Sequence, residues 1–140
     1  MKKFLLVISL FVVLYSCTKE EKKLELKDIN VFAFGLESGW ELNATASING
    51  FEQSEEEGKY KAKISYYANL VTPRGDTLPE IDYGVVDKED EEEILIANVE
   101  IQVELDSSFT TGNYKLLFYI NDDYSGKTAE AEKSFDITPD

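Results

Sequence analysis

The chain has 140 residues, 14 basic and 28 acidic, for a net charge of −14, with no histidine and one cysteine. That balance argues against nucleic acid as a partner, because affinity for it rests on basic contacts to phosphate. The lack of histidine removes Ser-His-Asp and Cys-His catalysis and the usual zinc sites. A single cysteine makes no intrachain disulfide, so packing alone must hold the fold.

The chain opens Met1-Lys2-Lys3 and continues "FLLVISLFVVLY" from Phe4 to Tyr15. A short basic region, an apolar run and a small residue before a cleavage point make a signal peptide. A membrane-spanning helix needs about 20 apolar residues, and this run stops at the polar "SCTKEE". "LYSC", positions 14–17, resembles the lipobox of bacterial lipoproteins. The resemblance implies cleavage before Cys17, a diacylglycerol on its thiol and an acylated new N-terminus. A lone thiol in an exported chain also suits an intermolecular disulfide, but its place straight after the apolar run favours lipid. Each buried acyl CH₂ adds about 0.8 kcal/mol of membrane affinity. Lys19-Glu20-Glu21 resembles the export signal of surface-exposed lipoproteins in Bacteroidetes-type bacteria, and also reads as a plain solvated tether. The expected division is a signal peptide over 1–16, a lipidated tether over 17–27 and one folded domain over 28–140. Cleavage takes Lys2 and Lys3 with it, so the net charge moves from −14 to −16.

Beyond the tether, period-two alternation dominates. "WELNATASI" sets Trp40, Leu42, Ala44, Ala46 and Ile48 on one face. "KYKAKISYYANL" sets Tyr60, Ala62, Ile64, Tyr66, Ala68 and Leu70 inward, with Lys59, Lys61 and Lys63 outward. "ILIANVEIQVEL" sets Leu95, Ala97, Val99, Ile101, Val103 and Leu105 inward. "NYKLLFYIN" and "TAEAEKSFDI" follow, with Tyr114, Leu116, Phe118 and Ile120, then Ala129, Ala131, Phe135 and Ile137. Weaker strands lie around 29–34 and 81–86. Seven short alternating strands separated by turn residues predict an all-β, seven-stranded antiparallel sandwich of immunoglobulin-like topology.

"FTTGNYKLLFYINDDYSGK" sharpens that reading. A Gly-x-Tyr entry into a strand, followed by a hairpin, resembles the last two strands of immunoglobulin-like and fibronectin-type-III-like domains. The resemblance implies that Tyr114 forms a tyrosine corner, its hydroxyl bonding back to nearby backbone. The paired cysteines of true immunoglobulins are absent.

Carboxylate pairs hydrolyse glycosides in other proteins, but the acids here cluster in loops, where solvation explains them, so no catalysis and no cofactor are expected. In this topology the loops after the second, fourth and sixth strands share one end. They carry Glu55-Glu56-Glu57, Asp87 with Glu89 to Glu93, and Asp122-Asp123. Such a pole suits Ca²⁺, which takes six to eight oxygen ligands, although no EF-hand spacing occurs. The opposite end holds Arg74-Gly75-Asp76, which looks like the integrin-recognition tripeptide and is equally common turn chemistry. Tyr67, Leu117 and Tyr119 point outward on adjacent strands, while the outer face of the second and fifth strands is polar. An apolar patch on one outer face and none on the other marks Tyr67, Leu117 and Tyr119 as a candidate contact face for a protein or glycan. The sequence thus suggests a lipid-anchored lipoprotein of the outer membrane, facing the cell exterior and acting as a non-catalytic binding or accessory module. The alternative is a Ca²⁺-dependent or carbohydrate-binding protein that uses the acidic pole.

Overall fold

The alternating segments form antiparallel strands. The computed structural model describes residues 22–139 and contains β1 (Glu25–Gly35), β2 (Trp40–Asn49), β3 (Ser54–Glu56), β4 (Lys59–Val71), β5 (Thr77–Asp90), β6 (Ala97–Leu105), β7 (Gly112–Asp122) and β8 (Thr128–Ile137). Cys17, Lys19, Glu20 and Glu21 lie outside the described residues. All seven expected strands are present, and β3 is an additional three-residue strand that opens the hairpin into β4.

Two sheets face each other across the core. One has the order β1-β2-β6. In the other, β4 pairs with β7 and with the short β3, β7 pairs with β8, and β5 lies on the remaining edge of β4. β5 joins this sheet because its link to β4 is short. Thr72 N–H donates to Asp76 O at 2.8 Å and Gly75 N–H donates to Thr72 O at 2.9 Å, with Gly75 at φ +89°. A turn that tight returns the chain alongside the strand it has just left.

One side chain in two from each sheet fills the space between them. Leu42, Ile48, Ala68, Leu70, Val99 and Leu116 have no solvent exposure, and Phe118 and Ile137 have 1%. Burying such a side chain stabilises the fold by roughly 1.5–3 kcal/mol. Tyr114 is buried, its hydroxyl donates to Thr110 O at 2.7 Å, and its ring packs on Phe135 at 5.7 Å. The corner implied by Gly112-x-Tyr114 is therefore formed.

Three expectations need correction. The tether does not run to Lys27: Leu24 is buried and β1 starts at Glu25. Leu95 does not face inward but is 69% exposed, because Ile94 leads the chain across to the other sheet first. Ile94 is pinned by Gln53, whose Oε1 accepts from Ile94 N–H at 2.7 Å and whose Nε2 donates to Ile94 O at 2.9 Å. Regular alternation begins only at Ala97. Finally, the outer face of the three-stranded sheet is not free of apolar groups. Its β2 and β6 positions are polar as expected, but Phe32 and Phe34 on β1 are both exposed, with rings 6.4 Å apart.

Candidate functional site: a row of tyrosines across the larger sheet

Register brings the site together. Tyr67 on β4 stands opposite Tyr83 on β5 and Tyr119 on β7, and Tyr119 stands opposite Glu130 on β8. All four side chains lie on the outer face, because their strand neighbours Ile64, Ala68, Phe118 and Ile120 fill the core. The row therefore crosses four strands at one height. One step along the strands lies a second row, Val85, Ser65, Asn121 and Thr128.

The rings of Tyr67 and Tyr119 stack at 4.7 Å with 11° between their planes. Such a pair adds about 0.5–1.5 kcal/mol beyond burial, and it fixes both rings upright on the sheet. Each gives one face to the other and leaves edge and hydroxyl to solvent. Tyr83 is 73% exposed and Val85 52%. Leu117 is half-buried and sits opposite Asn69 and Glu132, beside the row rather than in it. Tyr67, Leu117 and Tyr119 are thus adjacent as expected, and Tyr83 and Val85 extend the patch. These two were missed because their strand looked weak in isolation. The short Thr72–Asp76 link was the signal that β5 pairs with β4.

A groove of about 500 Å³ lies over the sheet between the two rows, lined by Ser65, Tyr67, Tyr119, Asn121, Thr128 and Glu130. Part of its polar wall is already engaged. Ser65 Oγ donates to Asp123 at 2.9 Å and Asn121 Nδ2 donates to the same carboxylate at 2.9 Å. Beneath the row, Tyr66 covers Gly84, its cross-strand partner. A Cβ at position 84 would stand 2.7 Å from the Tyr66 hydroxyl oxygen. Burial first, and then the charge of Asp82, hold the Tyr66 phenol above its ordinary pKa.

The acidic loops do gather at one end, but not as an array of free carboxylates. Lys59 reaches Glu89 at 3.0 Å, Lys61 lies 3.8 Å from both Glu56 and Glu89, and Lys22 reaches Glu93 at 3.4 Å. Asp122, expected on this solvated pole, is fully buried. Its carboxylate accepts from Glu52 N–H at 2.7 Å, Ser125 Oγ at 2.7 Å and Tyr124 N–H at 3.1 Å. It acts as the internal cap of two loops. Among the described residues no group of three or more acidic, Cys or His side chains is placed to hold a metal ion. Arg74-Gly75-Asp76 is exposed in the β4–β5 turn at the far end.

No family model and no curated protein sequence matches the chain. Among solved structures the fold is similar to part of a family 123 glycoside hydrolase from Clostridium perfringens, described for glycolipid glycan hydrolysis. The TM-score is 0.51 at 14% identity, over 76% of this chain and 22% of that one. The chain thus spans about a fifth of that hydrolase's length, and at this identity the likeness is one of fold: an all-β, antiparallel, sandwich-like arrangement.

Proposed function

We propose that the protein is a lipid-anchored, surface-facing lipoprotein of the outer membrane whose sandwich is a non-catalytic binding module for a protein partner. The observation that carries this reading is the cross-strand row Tyr83, Tyr67 and Tyr119, flanked by Val85 and Leu117, on the outer face of the larger sheet. Surface tyrosines are favoured in protein recognition, since they give large contact area at little entropic cost, and two of these three are held by stacking on one another. A protein suits the row better than a sugar, because Tyr67 and Tyr119 spend one ring face each on one another. The non-catalytic part is supported by Asp122, whose burial and three hydrogen bonds make it a structural group rather than an acid in a cleft.

A second reading, a glycan ligand, is favoured by the groove beside Tyr119, where Thr128 and Glu130 offer polar contacts. One experiment separates the two. A photo-crosslinking phenylalanine analogue is placed at position 83 in intact cells, with position 100 on the opposite sheet as control. Discrete protein adducts from 83 and none from 100 are expected, lost when Tyr67 and Tyr119 are both changed to Ser. Equal labelling from both positions overturns the site. Binding on a glycan array, with no adduct from 83, promotes the sugar reading.

A further inference from the structure

We propose that the free edge of β5 takes up an extended, basic polypeptide segment as an added strand. This names the partner class of the tyrosine face and rests on the protein-binding reading above. β5 is 14 residues long and, among the described residues, pairs only with β4. A long unpaired edge templates another strand unless something blunts it.

The blunting devices here sit at the two ends of β5. Near its start, Pro79, Glu80 and Ile81 together face the single residue Asn69, since Ala68 pairs with Asp82 and Leu70 with Leu78. Glu80 takes φ 48° in this bulge, and its N–H donates to Asn69 Oδ1 at 2.8 Å. Near the other end, Lys88 Nζ reaches across to Ile96 O at 3.3 Å. The stretch 82–87 between them has neither proline nor bulge.

Within that stretch the edge is set for pairing. Tyr83 N–H donates to the Asp82 carboxylate at 2.9 Å, so it is not spent on β4. In an antiparallel ladder alternate residues turn both backbone groups to the same side. The N–H and C=O groups of Tyr83, Val85 and Asp87 therefore face the open edge. An incoming strand would place its own side chains beside Tyr83 and Val85, the two most exposed apolar positions of β5. Strand addition uses main-chain bonds for affinity and such flanking side chains for selection.

Charge decides the occupant. β5 carries five acids and one lysine, a net charge of −4. A second copy of this chain docking edge to edge would set two such strands side by side, and like charges directly opposite destabilise a sheet. Side chains of a strand alternate between faces, so a foreign segment with lysine or arginine on alternate positions would instead set those cations on the Asp82 face and its apolar side chains beside Tyr83 and Val85. The Asp82 carboxylate then moves from the Tyr83 N–H to the incoming cation, and the freed N–H enters the new ladder.

The test uses the full chain in detergent micelles and hydrogen exchange read by mass spectrometry. The probes are a synthetic peptide alternating lysine and valine, long enough to cover 82–87, and its glutamate–valine counterpart. The basic peptide is expected to slow exchange across 82–87 and to bind at least about tenfold more tightly than the acidic one, a gap that narrows with added salt. Val85→Pro removes an edge donor and spares the β4 ladder, since proline is tolerated where N–H faces solvent. It should abolish protection while leaving the melting temperature within a few degrees. Equal binding of both peptides, or no protection of β5, overturns the proposal. Adducts from position 83 in cells together with no β5 protection would leave the protein-binding face standing and remove only the added strand.

Discussion

The Tyr114 hydroxyl and the Thr110 carbonyl, 2.7 Å apart, close the corner through which the chain enters β7. Because the ring is 2% exposed, the bond is made inside the sandwich. Tyr114→Phe keeps the packing on Phe135 and removes only this bond. It should cost about 1 kcal/mol in urea unfolding, and unchanged stability would show that the corner contributes nothing.

Asp122 should matter more. Asp122→Ala takes the acceptor from the Glu52 and Tyr124 N–H groups and the Ser125 hydroxyl, three part-buried bonds, each group left unsatisfied costing roughly 1–3 kcal/mol. A loss of at least about 3 kcal/mol is expected, with Asp122→Asn intermediate because it keeps one acceptor. A loss under about 1 kcal/mol for Ala would mean that solvent reaches the donors freely.

The acidic end predicts a salt response without calcium specificity. Net charge repels at that pole, and monovalent salt screens it, so Tm should rise with sodium chloride. Lysines already bridge Glu56, Glu89 and Glu93, and Asp122 is internal. Ca²⁺ at fixed ionic strength should therefore add nothing. A rise of several degrees specific to Ca²⁺ would reinstate the metal-dependent reading.

Glu89 should titrate low. The hydrogen bond from Lys59, then its charge, and the charge of Lys61 hold the carboxyl below the ordinary glutamate range. A depressed folded value means that its contribution to stability is present above the unfolded pKa and fades as pH falls through the folded one. Carbon-detected NMR should find Glu89 protonating below the ordinary glutamate range, and Lys59→Ala should move its titration back up toward that range.

Lipidation is tested at Cys17. Cys17→Ala should abolish palmitate labelling and leave the signal uncleaved, whereas replacing Lys19, Glu20 and Glu21 by alanine should keep the label and lose accessibility to external protease. Label in the alanine variant at 17 rejects the anchor.

Alternation made the core legible, because each sheet buries only one face and Leu42, Ile64, Val99 and Phe118 repeat at period two. Tyr114 was legible from Gly112 two residues earlier. The neighbour of β5 was not, since alternation tells which face is buried and not which strand lies alongside. Hence Tyr67 and Tyr119 were found and Tyr83 was not. Asp122 was misjudged because a carboxylate in a loop is ordinarily solvated, and nothing local announces that Glu52 and Ser125 will close over it. Leu95 failed because its pattern was read across a crossing between sheets.

The early start of β1 has a consequence for posture. Leu24 is buried, Lys127 Nζ holds Lys22 O at 3.3 Å, and Gly50 packs directly on Lys23 O. The leash from Cys17 to Lys22 is then five residues, no more than about 18 Å. On the lipid-anchored reading the acidic pole rests close to the headgroups. β4, 13 residues at about 3.3 Å each, rises roughly 40 Å from there. The strands stand upright like fence pales, the Arg74-Gly75-Asp76 turn is the top, and the tyrosine row runs level in the upper half, at Tyr67 of the Lys59–Val71 strand. A segment joining β5 would therefore have to hang along the membrane normal, which selects partners that descend toward the surface over those lying flat upon it.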